Sequence, residues 1–302
     1  MHLDALRARG FGRARFDPRP ASLRLALRYA GAPKCVGARA AQGAEEEDME
    51  LRGKAAIVTG AGTGVGRATA LALAERGCAV AVNYSRSQQA AEEVAEQARA
   101  AGVEALAVRA DVAVDAECRA LVGQALDAFG RLDVLVNNAG TTEFIPHQEL
   151  EKVDAATWEH ILGVNLRGPF QCARAAREAL VASGAGHVVN VSSVAGLYGV
   201  GSSIPYCASK AGLNVLTVIL ARVLGPQVQV NAVAPGFIDG DWLRAGLGSA
   251  FEAVRSHYAG RAPLGRVCTP DDVRDAILSL LEGSALVTGQ IVVVDGGAAL
   301  AG

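Results

Sequence analysis

Two kinds of apolar pattern alternate along the chain beyond residue 49. Short continuous apolar runs, rich in β-branched residues, recur at Ala55-Ala-Ile-Val-Thr59, Cys78-Ala-Val-Ala-Val82, Ala105-Leu-Ala-Val108, Val134-Leu-Val136, Val188-Val-Asn-Val191, Val228-Gln-Val-Asn-Ala-Val233 and Ile291-Val-Val-Val294. Longer stretches with helical spacing lie between them, among them about 64–76 and an Ala/Glu-rich stretch at 87–101. Runs without polar alternation predict strands covered on both faces, as in a parallel sheet. Strand and helix in strict alternation predict right-handed crossovers. The pattern therefore predicts an α/β fold, a doubly wound seven-stranded parallel sheet flanked by helices, as a single domain over residues 49–302. Ligands of such sheets bind beyond the carboxyl ends of the strands.

Composition removes several function classes. A formal net charge of −2 in 302 residues gives no electrostatic case for a nucleic-acid or membrane partner. No uninterrupted apolar run reaches the ~18 residues of a membrane span. The six cysteines are scattered, with no CxxC pair and no histidine at metal-ligand spacing, which predicts reduced packing residues of a cytoplasmic protein and no metal. Residues 1–44 hold eight Arg and one Lys against Asp4 and Asp17, with prolines at 18, 20 and 33 and no core periodicity. Residues 1–48 read as a disordered or non-native extension, with Met49 as an alternative start. The Arg-rich, acid-poor composition also permits a mitochondrial targeting reading, weakened by Ser22 being the only serine there.

Candidate chemistry gathers where strands end. The first strand runs into Thr59-Gly-Ala-Gly-Thr-Gly-Val-Gly66 and then a helix. Gly60, Gly64 and Gly66 let the turn tighten and let backbone N–H groups approach a pyrophosphate at the helix N-terminus. The second strand leads into Asn83-Tyr-Ser-Arg-Ser87, without the carboxylate that holds a ribose 2′-hydroxyl in NAD-specific sites. Asn83, Ser85 and Arg86 could instead bond and neutralise a 2′-phosphate, favouring NADP(H), with NAD(H) still possible. Farther along, Tyr206 and Lys210 lie four residues apart, on one face of a predicted helix whose first turn takes Pro205. An ammonium one turn from a phenol favours the phenolate and lets the tyrosine exchange a proton near neutrality. That spacing alone also arises by chance on amphipathic helices.

Taken together, Thr59–Gly66, Asn137-Asn-Ala-Gly140, Ser193, Tyr206 and Lys210 resemble the short-chain dehydrogenase/reductase family, over nearly all of Met49 to Asp295-Gly-Gly297. Val287-Thr-Gly-Gln-Ile-Val-Val-Val-Asp-Gly-Gly297 and Val230-Asn-Ala-Val-Ala-Pro-Gly236 are most similar to its 3-oxoacyl-(acyl-carrier-protein) reductase-like branch. The resemblance implies a Rossmann-type sheet and a catalytic tetrad of Asn165, Ser193, Tyr206 and Lys210. Tyr206 would be the general acid/base, Ser193 would fix the substrate oxygen, Lys210 would lower the tyrosine pKa and bind ribose, and Asn165 would hold a water beside the lysine. It implies a cofactor-contacting set of Gly60, Thr63, Gly64, Val65, Gly66, Asn83, Tyr84, Ser85, Arg86, Asp111, Val112, Asn138, Ala139, Gly140, Tyr206, Lys210, Pro235, Gly236 and Ile238. Read without the family, Asp111 equally caps a helix beginning near 115, and Asn165 is a mid-helix polar residue. Ser192 is expected to be structural. Where the family commonly carries a threonine after Pro235-Gly236, this chain has Gly240, and Asp239 is a candidate to substitute.

The expected activity is NADP(H)-dependent interconversion of a carbonyl and a secondary alcohol by hydride transfer, with a 3-oxoacyl thioester among the candidate substrates. The alternatives are an NAD-dependent dehydrogenase of a sugar, polyol or steroid alcohol, and a non-catalytic dinucleotide sensor. Trp242 and Phe251 are candidate apolar walls of a lid between Phe237 and Arg261, and 141–147 lies at another strand end. Apolar helices around 154–182 and 206–224 imply, with the family, a homotetramer.

Overall fold

The computed structural model describes residues 50–300 except Ser284. The predicted extension, and with it Met49, lies outside the described residues. Every apolar run expected to be a strand is one: β1 Ala55–Val58, β2 Ala79–Tyr84, β3 Ala105–Arg109, β4 Val134–Asn137, β5 Gly186–Val191, β6 Val228–Pro235 and β7 Ile291–Val294. They form one parallel sheet in the order β3-β2-β1-β4-β5-β6-β7. The chain reverses direction of winding between β3 and β4, so the crevice of the doubly wound sheet opens beyond the carboxyl ends of β1 and β4.

The connecting helices are α1 Gly64–Glu75, α2 Gln88–Ala100, α3 Asp115–Phe129, α4 Ala155–Leu162, α5 Gly168–Ala182, α6 Ala195–Tyr198, α7 Ile204–Leu224, α8 Asp241–Leu247, α9 Phe251–Arg261 and α10 Pro270–Glu282. Their ends follow local chemistry. Asp154 accepts from the Thr157 N–H at 2.8 Å to start α4, and Thr269 and Asp272 form a reciprocal capping box at α10. Gly130, at φ +70°, ends α3 in the left-handed conformation. A π-helical turn, Gly163–Arg167, joins α4 to α5.

Successive strand residues point to opposite faces, and the core divides accordingly. Val58, Val82, Val136 and Val191 pack with α1, α2 and α10, whereas Ile57, Ala81, Leu135 and Val188 pack with α3, α5 and α7. Helix α7 is long and apolar enough to cross a bilayer by length and composition. Its buried face, however, carries Ser209, Lys210, Asn214 and Thr217, and these are tied by hydrogen bonds to the sheet and its loops.

One close approach sets the distance between two elements that matter later. A Cβ on Gly196 of α6 would lie 2.5 Å from the Lys210 carbonyl carbon, so the backbones of α6 and α7 touch there. The Ser192 hydroxyl donates to Asn214 Oδ1 at 2.6 Å and reinforces the contact from the end of β5. The loop after β5 is thereby locked to α7 at the height of Lys210.

Candidate active site

At the carboxyl edge of the sheet a cleft of about 820 Å³ runs from the β2 and β3 ends, across β1 and β4, to α7 and the α8–α9 lid. Its near end is built by the glycine turn. Gly60 and Gly64 take φ of +60° and +54°, which only glycine adopts without strain, and Gly64 has open space where a Cβ would be. A Cβ on Gly66 would lie 2.5 Å from Asn138 Nδ2 and from the Gly60 carbonyl oxygen. Gly66 thus serves close packing behind the turn, while Gly60, Thr63, Gly64 and Val65 line the cleft. Asn138 Nδ2 donates to the Thr59 and Gly60 carbonyls at 2.8 and 3.0 Å, and Thr59 Oγ1 accepts from the N–H groups of Asn138 and Ala139. These bonds tie the end of β4 to the turn, and Ala139 and Gly140 form the cleft floor.

The end of β2 departs from expectation. Asn83 is buried, with Oδ1 accepting from the Gly60 N–H at 3.2 Å and Nδ2 donating to the Ala110 and Val108 carbonyls at 3.0 and 3.3 Å. Its amide is bonded to backbone and braces the glycine turn, and the residue itself lines the cleft. Tyr84, Ser85 and Arg86 line the cleft, and so does Arg109, the last residue of β3 and the register partner of Tyr84. Arg109 was not anticipated; its signal was being the terminal residue of a strand at the ligand-binding edge. Asp111 closes a short turn, accepting from Ala113 N–H at 2.9 Å, and its own N–H donates to Glu117 at 2.8 Å. The α3 cap position is Val114, so the helix-cap alternative for Asp111 does not hold; Asp111 and Val112 line the cleft. An open glycine turn at a helix start, followed by exposed guanidinium groups, is a donor set that fits a dinucleotide with its phosphates.

The far end holds Ser193, Tyr206 and Lys210. Ser203 caps α7 by accepting from the Tyr206 N–H, and Pro205 occupies the first turn. Lys210 Nζ stands 5.7 Å from the centre of the Tyr206 ring and donates to the Val191 carbonyl at 2.8 Å. Burial pushes the Tyr206 phenol up to about 12, partly offset by a hydrogen bond from Ser193. Burial pushes the Lys210 ammonium down to about 8. Burial is the largest influence on the phenol, and the Ser193 hydrogen bond draws it back toward the phenolate. Ser193 Oγ also accepts from the Ala195 N–H at 3.1 Å.

Asn165, in the π turn, is buried and does not line the cleft. Its Oδ1 accepts from the Thr141 N–H at 2.8 Å, and its Nδ2 donates to the Thr141 carbonyl at 2.9 Å and to Ser209 Oγ at 3.1 Å. These bonds fix the loop after β4 to α7; Oδ1 keeps one lone pair, and a Cβ on Gly140 would lie 3.6 Å from it and 3.8 Å from Lys210 Nζ. Pro235, Gly236 and Ile238 line the cleft after β6. Gly240 opens α8 with free space at its Cβ position. Asp239 is not a substitute for the missing threonine. It pairs with Arg244 at 2.7 Å and Arg255 at 3.6 Å, within an ionic cluster that includes Glu252. Trp242 lines the cleft, whereas Phe251 is buried against Phe237 and beneath Arg244.

A family model described as Enoyl-(Acyl carrier protein) reductase matches residues 60–299. The chain is 45% identical over 245 residues to "Granaticin polyketide synthase putative ketoacyl reductase 2" of Streptomyces violaceoruber, covering 81% of this chain and 96% of that one. It is 38% identical over 246 residues to the 3-oxoacyl-(acyl-carrier-protein) reductase FabG of Staphylococcus aureus strain N315, covering 81% and 97%. A crystal structure of a "putative short-chain dehydrogenase/reductase" from Burkholderia xenovorans superposes with a TM-score of 0.76 at 38% identity, covering 82% of this chain and 98% of that one.

Replacing Asn83 by Ala strips partners from one N–H and three carbonyls. The KM values for NADPH and NADH are expected to rise by the same factor, and unfolding stability to fall by about 1–3 kcal/mol. A selective loss of NADPH in steady-state kinetics would contradict the structural role.

Proposed function

The chain belongs to the short-chain dehydrogenase/reductase family, and from that premise we propose that it is an NADP(H)-dependent reductase of 3-oxoacyl thioesters or closely similar ketones. The family membership makes it an oxidoreductase acting on carbonyl and alcohol groups with a nicotinamide dinucleotide. The observation that carries the finer reading is the juxtaposition of Ser193, Tyr206 and Lys210 at the end of a cleft whose other end presents Arg86 and Arg109.

When bound, the dinucleotide supplies the hydride that reduces the carbonyl carbon. The chain's own residues manage the oxygen. Tyr206 remains protonated through neutral pH and donates its phenolic proton to the oxygen as negative charge grows there. Ser193 holds that oxygen by a second hydrogen bond and stabilises the same charge. Lys210, a buried cation beside the phenol, offsets the phenolate left behind. Oxidation runs the same path in reverse, with Tyr206 as base.

The absence of a carboxylate after β2, and the exposed guanidinium of Arg86 in the cleft, support NADP(H) over NAD(H). The five described cysteines are free thiols, which supports a reducing, cytoplasmic compartment. Val215, Ile219 and Val223 form an exposed apolar stripe on α7, and Val292 and Val293 of the edge strand β7 are also exposed. Two separate apolar faces support a homotetramer with two kinds of contact.

Tyr206→Phe is expected to lower kcat by at least about 10²-fold while dinucleotide binding, followed by fluorescence titration, is kept. In wild type the reductive kcat/KM should hold through neutral pH and fall above about pH 8 as Lys210 loses its proton, whereas the oxidative rate should rise with pH. A reductive rate that climbs above pH 8 would count against these assignments. Wild type should prefer NADPH, and Arg86→Ala should erase that preference by raising its KM alone; a native preference for NADH would point to the NAD-dependent dehydrogenase. Light scattering should give four chains per particle, and a clean monomer would refute the assembly.

A further inference from the structure

Beyond Tyr206 the cleft is walled by Phe144, Trp242, Leu243, Leu247, Val254 and Tyr258. Trp242 is 50% exposed, an unusual state for an indole on a helix that packs against the rest of the domain. Its ring centre lies 6.2 Å from that of Tyr206, at 52°, and 6.3 Å from that of Phe144, at 61°. Neither contact is a face-to-face stack, so the three rings stand around one volume at the catalytic phenol without filling it.

The indole is held there by a specific fit. A Cβ on Gly246, one turn beyond Trp242 on α8, would lie 2.0 Å from Phe144 Cε2 and Cζ. The Phe144 ring is seated against the bare backbone of the lid helix, which fixes Trp242 next to Tyr206. Charge at this end is equally distinctive. The lysine and arginines lining the cleft are Arg86, Arg109 and Lys210. The first two stand at the ends of β2 and β3, and Lys210 is behind the tyrosine, bonded to Val191. No Asp or Glu lines the lid side either; Asp111 and Glu117 sit at the opposite end.

We propose that the physiological substrate carries a neutral, flat aryl ring on its reacting carbonyl, and that Trp242 is the residue that selects it. The proposal rests on the reductase reading and narrows it. A carboxylate on that ring would meet no lysine or arginine; the imidazole lining the cleft, His160 of α4, has its Nε2 3.4 Å from Thr141 Oγ1. A flexible alkyl chain would lose rotamer freedom on binding without gaining the ring contacts that Trp242, Phe144 and Tyr206 offer.

The test uses two matched N-acetylcysteamine thioesters, 3-oxo-3-phenylpropanoyl and 3-oxobutanoyl, with wild type, Trp242→Ala and Trp242→Phe. Wild-type kcat/KM is expected to favour the phenyl compound by about fivefold or more. Trp242→Ala should cut that ratio by a similar factor, chiefly through KM for the phenyl compound, and Trp242→Phe should restore much of it. Circular dichroism of each variant excludes a folding defect. A wild-type preference for the methyl compound, or a ratio unmoved by Trp242→Ala, overturns the inference while leaving the reductase reading in place. No turnover of either thioester or of acetophenone, with NADPH or NADH, overturns the reductase reading and the inference with it.

Discussion

A parallel sheet satisfies its backbone along the strands and leaves polar groups exposed where the strands stop, at the edge where this protein also puts its cleft. Buried carboxamides answer that constraint. An amide offers both a donor and an acceptor and carries no charge to desolvate, so it can satisfy an N–H and a carbonyl at once. Asn83 does this near the end of β2 and Asn165 between the loop after β4 and α7, while the half-buried Asn138 donates to two carbonyls after β4. Asn137 donates to Asn190 at 2.9 Å, and Asn190 donates to Thr217 of α7 at 2.9 Å. Asn231 does the same for the loop before β7. The cleft is rigid because its floor is stitched by neutral groups, and this leaves the few charged ones free for ligands.

That division explains the electrostatics at Tyr206. Lys210 is buried and the half-buried Tyr206 lines the cleft, and desolvation pushes each toward its neutral form. Neither shift could persist in a mobile loop, because water would enter and cancel it. The backbone contact of Gly196 with Lys210, and the Ser192–Asn214 bond, keep the loop carrying Ser193 closed on α7. Packing and catalysis are in this sense one interaction, with the glycine supplying closeness and the serine the hydrogen bond.

The strand pattern was legible because continuous apolar runs have few other uses in a chain of this size, and all seven appear within a few residues of their expected bounds. Ser193, Tyr206 and Lys210 were legible through spacing and family resemblance as positions that line the cleft, whereas Asn165 lies behind it. What each side chain does was less so. Asn83 and Asp239 were read as ligand groups, because a sequence shows the chemical type of a side chain and not what already occupies its bonding capacity. Asn83 is claimed by Gly60, Val108 and Ala110, and Asp239 by two arginines from the lid. Arg109 escaped for the opposite reason, and Phe144 was legible only as part of the 141–147 stretch at a strand end. An arginine ending a strand and a phenylalanine in a loop are ordinary until sheet register and a facing Gly246 give them a neighbourhood.

The π-helical turn at Gly163–Arg167 has a consequence for how this chain can vary. It is a helix carrying one residue more than the regular repeat accommodates, and each residue of an α-helix turns the chain by about 100°. Removing a single residue there would restore regular local geometry and, judged locally, would do no harm. Because the surplus is taken up within that one wide turn, the helices on either side keep their phase, and Ile161 stays on the buried side with Cys172, Ala173 and Ala176. What such a deletion would cost is the turn's own buried side chain, Asn165, whose bonds to Thr141 and Ser209 depend on where the wide turn projects it.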